Sequence, residues 1–279
     1  MPVLSETGWR ARSWAVLRLL LGGYLAVHFA QLLPWAAEVF SLAGMATAPV
    51  SPLFPFVPSP LWLSGSGLVA SAWVGVGLVA SLLVAAGRQD RLAALVALWV
   101  LASLQATNPL ILNPALPHVG WLLLAHAAIP QPPPLDVLWR DPHAGTEWRL
   151  PPAIFAAGWA LMTVGYAYSG WTKLAAPSWL DGQALAYVLD NPLARDTPLR
   201  VWLAQHPLAL ALATWSALAL ELAAPVAALS RRVRPFLWLA LLMLQLGLLA
   251  LVDFADLTWG MLVFQAWTFD PAWLRRRGW

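Results

Sequence analysis

Residues 13–33 read SWAVLRLLLGGYLAVHFAQLL and follow Arg10 and Arg12. A helix of that length spans about 30 Å, the thickness of a bilayer's hydrocarbon core. The run is longer than a signal-peptide apolar region, and no small-residue cleavage site follows it. It therefore reads as an uncleaved first membrane span. Two arginines before it mark the cytoplasmic end.

The rest of the chain repeats this pattern. Of 279 residues, 60% are hydrophobic and only 10% are charged, whereas a soluble domain carries about 25% charged residues. Too little polar surface remains to cover a water-soluble globule, so the expected fold is an all-α polytopic transmembrane helix bundle. The 19 tryptophans suit membrane interfaces. There is no cysteine, which removes disulfides, thiolate nucleophiles and Cys-based metal sites. The net charge of +3 comes from arginines flanking apolar runs, not from a basic stretch interleaved with aromatics. Nucleic acid is therefore not an expected partner.

Apolar runs predict about eight helices, over 14–33, 61–86, 92–106, 118–129, 152–175, 207–229, 235–252 and 257–267. Pro34 is expected to end the first. Residues 35–60 hold five further prolines and read as an external, partly membrane-dipping loop. Gly67, Ser71 and Gly75 form a ridge of small residues for close helix approach. The 131–150 segment is a polar cytoplasmic connection within one domain spanning 1–279. Residues 177–205 read as a polar-aromatic loop with a short helix near 182–189.

Arginine counts set the orientation. With both termini cytoplasmic, the inner side holds Arg10, Arg12, Arg88, Arg91, Arg140, Arg149, Arg231, Arg232, Arg234, Arg275, Arg276 and Arg277. The outer side holds Lys173, Arg195 and Arg200. The expected location is a bacterial inner membrane, crossed several times.

Functional candidates centre on GYAYSGWTKLAAPSWLDG at residues 165–182, which contains the chain's single lysine, Lys173. Tyr166, Ser169, Gly170 and Lys173 lie at i, i+3, i+4 and i+7, on one helical face. A desolvated lysine serves as base or nucleophile; an interfacial one also serves as a lipid anchor at a helix C-terminus. Glu221 is the deepest acid, and an intramembrane carboxylate is a functional candidate. Arg18 enters the membrane from the same side, so an Arg18–Glu221 structural ion pair is expected, with Lys173 too far from Glu221 if both helices are straight. His118 and Asp253 are expected on the outer side near Lys173, and Asp256 is expected to cap the last helix. His118 and His126 are about 12 Å apart along a helix, so they make no metal site between them. No nucleotide-binding or nucleophile-elbow motif occurs.

Tyr166, Gly170, Lys173–Leu174, Trp179 and Gly182 together resemble the Y-x-x-x-G-x-x-K-L…W-x-x-G motif of the HTTM family, transmembrane domains related to vitamin K-dependent γ-carboxylase. Arg18, Gly22, Glu221 and Pro225 support the likeness. The resemblance implies that Lys173 is a base toward a reduced quinone. Tyr166, Ser169, Gly170, Trp179, His118 and Asp253 would then line an outward-facing pocket that binds a quinol or similar amphiphile for quinol-linked redox or carboxylase-like chemistry. The carboxylases also carry a large lumenal domain, which these 279 residues are not expected to contain. An accessory role in maturing or exporting a secreted peptide, without catalysis, is the alternative. Solute or proton transport is a third reading.

Overall fold

The structure, a computed structural model, describes residues 8–45, 56–111, 113–130, 132–139 and 147–275. Arg140, Asp141, Arg276 and Arg277, with parts of the 35–60 and 131–150 connections, lie outside the described residues. Every regular element among the described residues is helical; one isolated bridge joins Ala194 and Val252. Five segments are long and apolar enough to cross a membrane: Ala11–Phe40, Gly67–Ala86, Asp90–Thr107, Pro207–Leu229 and Arg234–Leu251. The protein is thus an α-helical bundle of the composition a membrane protein requires. Its described residues cluster as two units, 8–152 with 270–272 and 153–269 with 273–275. The division follows the polar 131–150 connection.

The first unit contains α1 (Ala11–Leu32), α2 (Ala36–Phe40), α3 (Pro60–Leu63), α4 (Gly67–Ala86), α5 (Asp90–Thr107) and α6 (Ala115–Ala128). The α1 helix ends at Leu32, within a residue of the expected stop, but Pro34 does not end the chain's helical course. It sits in a 3-10 turn, Leu33–Trp35, that leads directly into α2. Helical structure tolerates proline in a first turn, where its missing N–H has no acceptor to serve. The helix expected over 61–86 is broken at Ser64–Gly65–Ser66. Ser66 caps the start of α4 by accepting the Leu68 N–H at 3.2 Å.

The small-residue ridge of α4 also lies differently from expectation. Gly67 packs on Ala37, but a side chain at Gly75 would meet open space. The face turned to α1 is that of Gly77, where a Cβ would come within 2.8 Å of the Phe29 ring. Close approach is completed at Gly22, against Ala85. The α6 helix has 14 residues, about 21 Å against the ~30 Å of a hydrocarbon core.

The second unit contains α7 (Pro152–Lys173), α8 (Pro177–Leu180), α9 (Ala184–Leu189), α10 (Pro198–Ala204), α11 (Pro207–Leu229), α12 (Arg234–Leu251) and α13 (Ala255–Thr268); Ala272–Arg275 forms the final α14. The 177–205 stretch is more ordered than a loop: it carries three short helices, two of them opened by Pro177 and Pro198 in their first turns. The α7 helix has 22 residues but is not among the five apolar spans. Asp256 is not the cap of α13. Phe254 occupies that position and Asp256 lies in the first turn, where a carboxylate still complements the helix dipole.

Candidate functional site

The end of α7 builds the site. Its last helical residue is Lys173, after which Ala176 is extended and Pro177 opens α8. A residue before proline avoids the helical region, which fixes the stop. The Lys173 carbonyl is satisfied by the Ala176 N–H at 3.0 Å. One face of α7 carries the buried Phe155, Gly158, Trp159, Met162, Tyr166 and Gly170, while Tyr168 and Trp171 are exposed on the other. Lys173 continues the buried stripe and remains partly open.

Lys173 meets Glu221. Its ammonium nitrogen donates to both carboxylate oxygens, at 2.5 and 2.6 Å. The lysine side chain is 22% exposed and the glutamate 6%, so the acid stands behind the base. The Ser169 side chain lies beside the carboxylate. The Lys173 nitrogen also lies over the Trp179 ring, 4.4 Å from its centroid, a cation–π contact. Gly170 brings the two helices together: a Cβ there would lie 3.1 Å from Glu221 Cβ and from the Leu222 side chain.

This pairing corrects two expectations. Lys173 is not too far from Glu221, and Glu221 does not pair with Arg18. The error lay in matching helix ends. Before Glu221, α11 has fourteen residues, about 21 Å. Residues 177–189 run alongside that portion instead of lying beyond it. Trp215 donates its indole N–H to the Leu180 carbonyl at 3.0 Å, and Leu185 donates its N–H to Thr214 Oγ1 at 3.2 Å. Gly182, at φ +74°, seats the turn between α8 and α9 on Ala211 and Trp215. α7 therefore stops level with Glu221, in the interior of α11. Pro225 lies within α11 and has no N–H for the Glu221 carbonyl.

Arg18 finds its partners inside the first unit. It is 1% exposed and donates from Nη1 to Asp90 Oδ2 at 3.2 Å and to the Pro133 carbonyl at 2.9 Å. Asp90 Oδ1 holds His126 Nε2 at 2.8 Å, and the His126 ring stacks on Trp14 at 4.8 Å. Gly87, at φ +66°, leaves room for the guanidinium: a Cβ there would fall 2.7 Å from Arg18 Cζ. A buried arginine is thereby neutralised by the acid at the start of α5. In the sequence Asp90 stands between Arg88 and Arg91, in the short connection between the helices predicted over 61–86 and 92–106, which hides it as a partner.

The remaining expected pocket residues have partners other than Lys173. His118 belongs to the first unit, with Nδ1 at 2.8 Å from the Pro114 carbonyl. Asp253 is exposed and pairs with Arg195 at 2.9 Å, not with Lys173. Tyr166 turns toward two residues with no expected role: its hydroxyl accepts from Gln245 Nε2 at 2.8 Å and Gln265 Nε2 at 3.4 Å. An amide within each of two apolar helices was the available sequence signal for them. The gathered site is Lys173, Glu221, Ser169, Gly170 and Trp179. Chemically it sets an amine against a carboxylate, beside an aromatic face. No family model matches this chain, and no curated protein or solved structure matches it.

Proposed function

We propose that the Lys173–Glu221 pair is a membrane-embedded acid–base site acting on a lipid-soluble amphiphile. The observation that carries this reading is the bidentate pairing itself, with the acid buried and the amine partly open. When the shared proton resides on Glu221, Lys173 presents a neutral amine to its open side. A ligand O–H then gives its proton to that amine: the O–H bond breaks, an N–H bond forms, and the ammonium stabilises the oxyanion left beside it. Glu221 holds the proton that the pair exchanges, and Trp179 offers a flat apolar face.

A quinol fits this donor set, because the half-open amine and indole lie together and Ser169 is beside them. Lys173 and Trp179 would hold it, and it would supply redox chemistry when bound. The likeness to the HTTM motif supports the same assignment through Lys173. We further take the chain to cross the membrane several times with both termini cytoplasmic. The exposed Arg88 and Arg91 between α4 and α5 support that orientation, as do the arginines between α11 and α12.

Binding of 1,4-naphthoquinol in nanodiscs, followed by tryptophan fluorescence, tests the proposal. Wild-type protein is expected to bind, and Lys173→Met to lose most affinity. Lys173→Arg keeps the charge but gives up no proton, so it is expected to bind without exchanging one with the ligand. Equal binding by all three proteins would overturn the reading and favour a non-catalytic helper role.

A further inference from the structure

Below Lys173 on the same face of α7, about 10.5 Å along the axis, three polar side chains meet within apolar packing. They are Tyr166, Gln245 of α12 and Gln265 of α13, which are 6%, 4% and 1% exposed. Around them α12 buries Leu237 and Leu241, and α13 buries Met261, Phe264 and Trp267. The position of Gln265 is fixed through its backbone. Its carbonyl accepts the Trp238 indole N–H at 2.9 Å and the Thr268 hydroxyl at 3.0 Å.

The three side chains do not satisfy one another. Both amides donate to the Tyr166 oxygen, and both amide oxygens, Gln245 Oε1 and Gln265 Oε1, have no protein donor within reach. Turning an amide over does not solve this. The phenol proton would gain an acceptor, but an NH2 group would then stand where the oxygen had been. An unpaired amide group buried in apolar surroundings costs ~1–3 kcal/mol. With both amide nitrogens committed to the Tyr166 hydroxyl, the two open oxygens and the phenol proton call for a further partner. None of the three residues is ionised at neutral pH, so an ion would remain uncompensated there.

We infer that Tyr166, Gln245 and Gln265 form an internal binding site for a neutral hydroxyl group, either water or the hydroxyl end of an amphiphile. The site stands on its own geometry and does not depend on the acid–base reading of Lys173. A hydroxyl there donates to one amide oxygen and accepts the phenol proton; water, with its second proton, also serves the other amide oxygen.

Hydroxyl-radical footprinting of the intact protein tests this. Resident water is a local radical source, so buried Tyr166 is expected to be labelled comparably to exposed Tyr168. In Gln245→Leu/Gln265→Leu that labelling is expected to fall to background. If the hydroxyl instead belongs to an amphiphile, Tyr166 is protected in the purified protein. Phenol, added after delipidation, then raises the melting temperature of wild type but not of the double variant. The wild-type measurements stand even where that variant fails to fold. Weak labelling of Tyr166 together with no phenol-dependent shift in wild type would overturn the inference.

Discussion

Removing either member of the Lys173–Glu221 pair is predicted to destabilise the protein unequally, and removing both to restore most of the loss. Breaking a buried ion pair by deleting one partner costs ~3–5 kcal/mol, whereas replacing both by apolar residues is often neutral. The exposures split the two single variants. Glu221 is 6% exposed, so Lys173→Met strands a buried carboxylate with only Ser169 beside it, and its cost belongs near ~3 kcal/mol. Lys173 is 22% exposed and rests on Trp179. In Glu221→Leu the ammonium keeps the cation–π contact and turns to its open side, which limits the cost to ~1–2 kcal/mol. The double variant Lys173→Met/Glu221→Leu is expected to cost no more than ~1 kcal/mol relative to wild type, giving a coupling of ~3–5 kcal/mol in a double-mutant cycle. Equilibrium unfolding in mixed micelles measures all four proteins. Additive losses in the double variant, or single variants indistinguishable from wild type, would refute the pairing and its assignment of depth.

Gly170→Val is predicted to cost ~1–3 kcal/mol by overpacking, because even a Cβ at that position lies 3.1 Å from Glu221 and Leu222; thermal unfolding checks it. Asp90→Asn is expected to destabilise by ~3–5 kcal/mol, since it leaves the 1% exposed Arg18 without its carboxylate, and Arg18→Met in the same background should recover part of that loss. Trp179→Leu removes the ring beneath Lys173 and is expected to cost ~0.5–2 kcal/mol, with a smaller effect when Lys173 is already methionine.

Much of this arrangement was legible in the sequence, and the gaps have physical causes. Apolar length alone gave the membrane character, and the i, i+4, i+7 spacing placed Tyr166, Gly170 and Lys173 on one face of α7. The predicted end of that helix, at 175, lies two residues past the observed stop at Lys173, after which Ala176 is extended and Pro177 opens α8. Depth was not legible, because helix length was taken as a measure of membrane position. Chain that packs beside α11, as residues 177–189 do, shifts Lys173 inward without any change in the hydropathy pattern. Partner choice for Arg18 was hidden for a related reason: Asp90 reads as a turn residue until α1, α5 and α6 are packed and bring His126 beside it. Gln245 and Gln265 carried a visible signal, an amide in an otherwise apolar helix, but their meeting at Tyr166 is a tertiary fact. Pro34 did mark the end of α1, but the 3-10 turn that carries the chain on into α2 was not legible from it.

The central claim is that Lys173 exchanges a proton with Glu221 and with a bound amphiphile. Because Lys173 is the chain's single lysine, protein labelled with [15N]lysine gives one side-chain nitrogen signal without assignment. That signal, recorded in nanodiscs with and without 1,4-naphthoquinol, is the most direct measurement. The account predicts that it responds to Glu221→Gln and moves again when the quinol is added. A signal that matches free lysine, and that neither Glu221→Gln nor the quinol shifts, would contradict it.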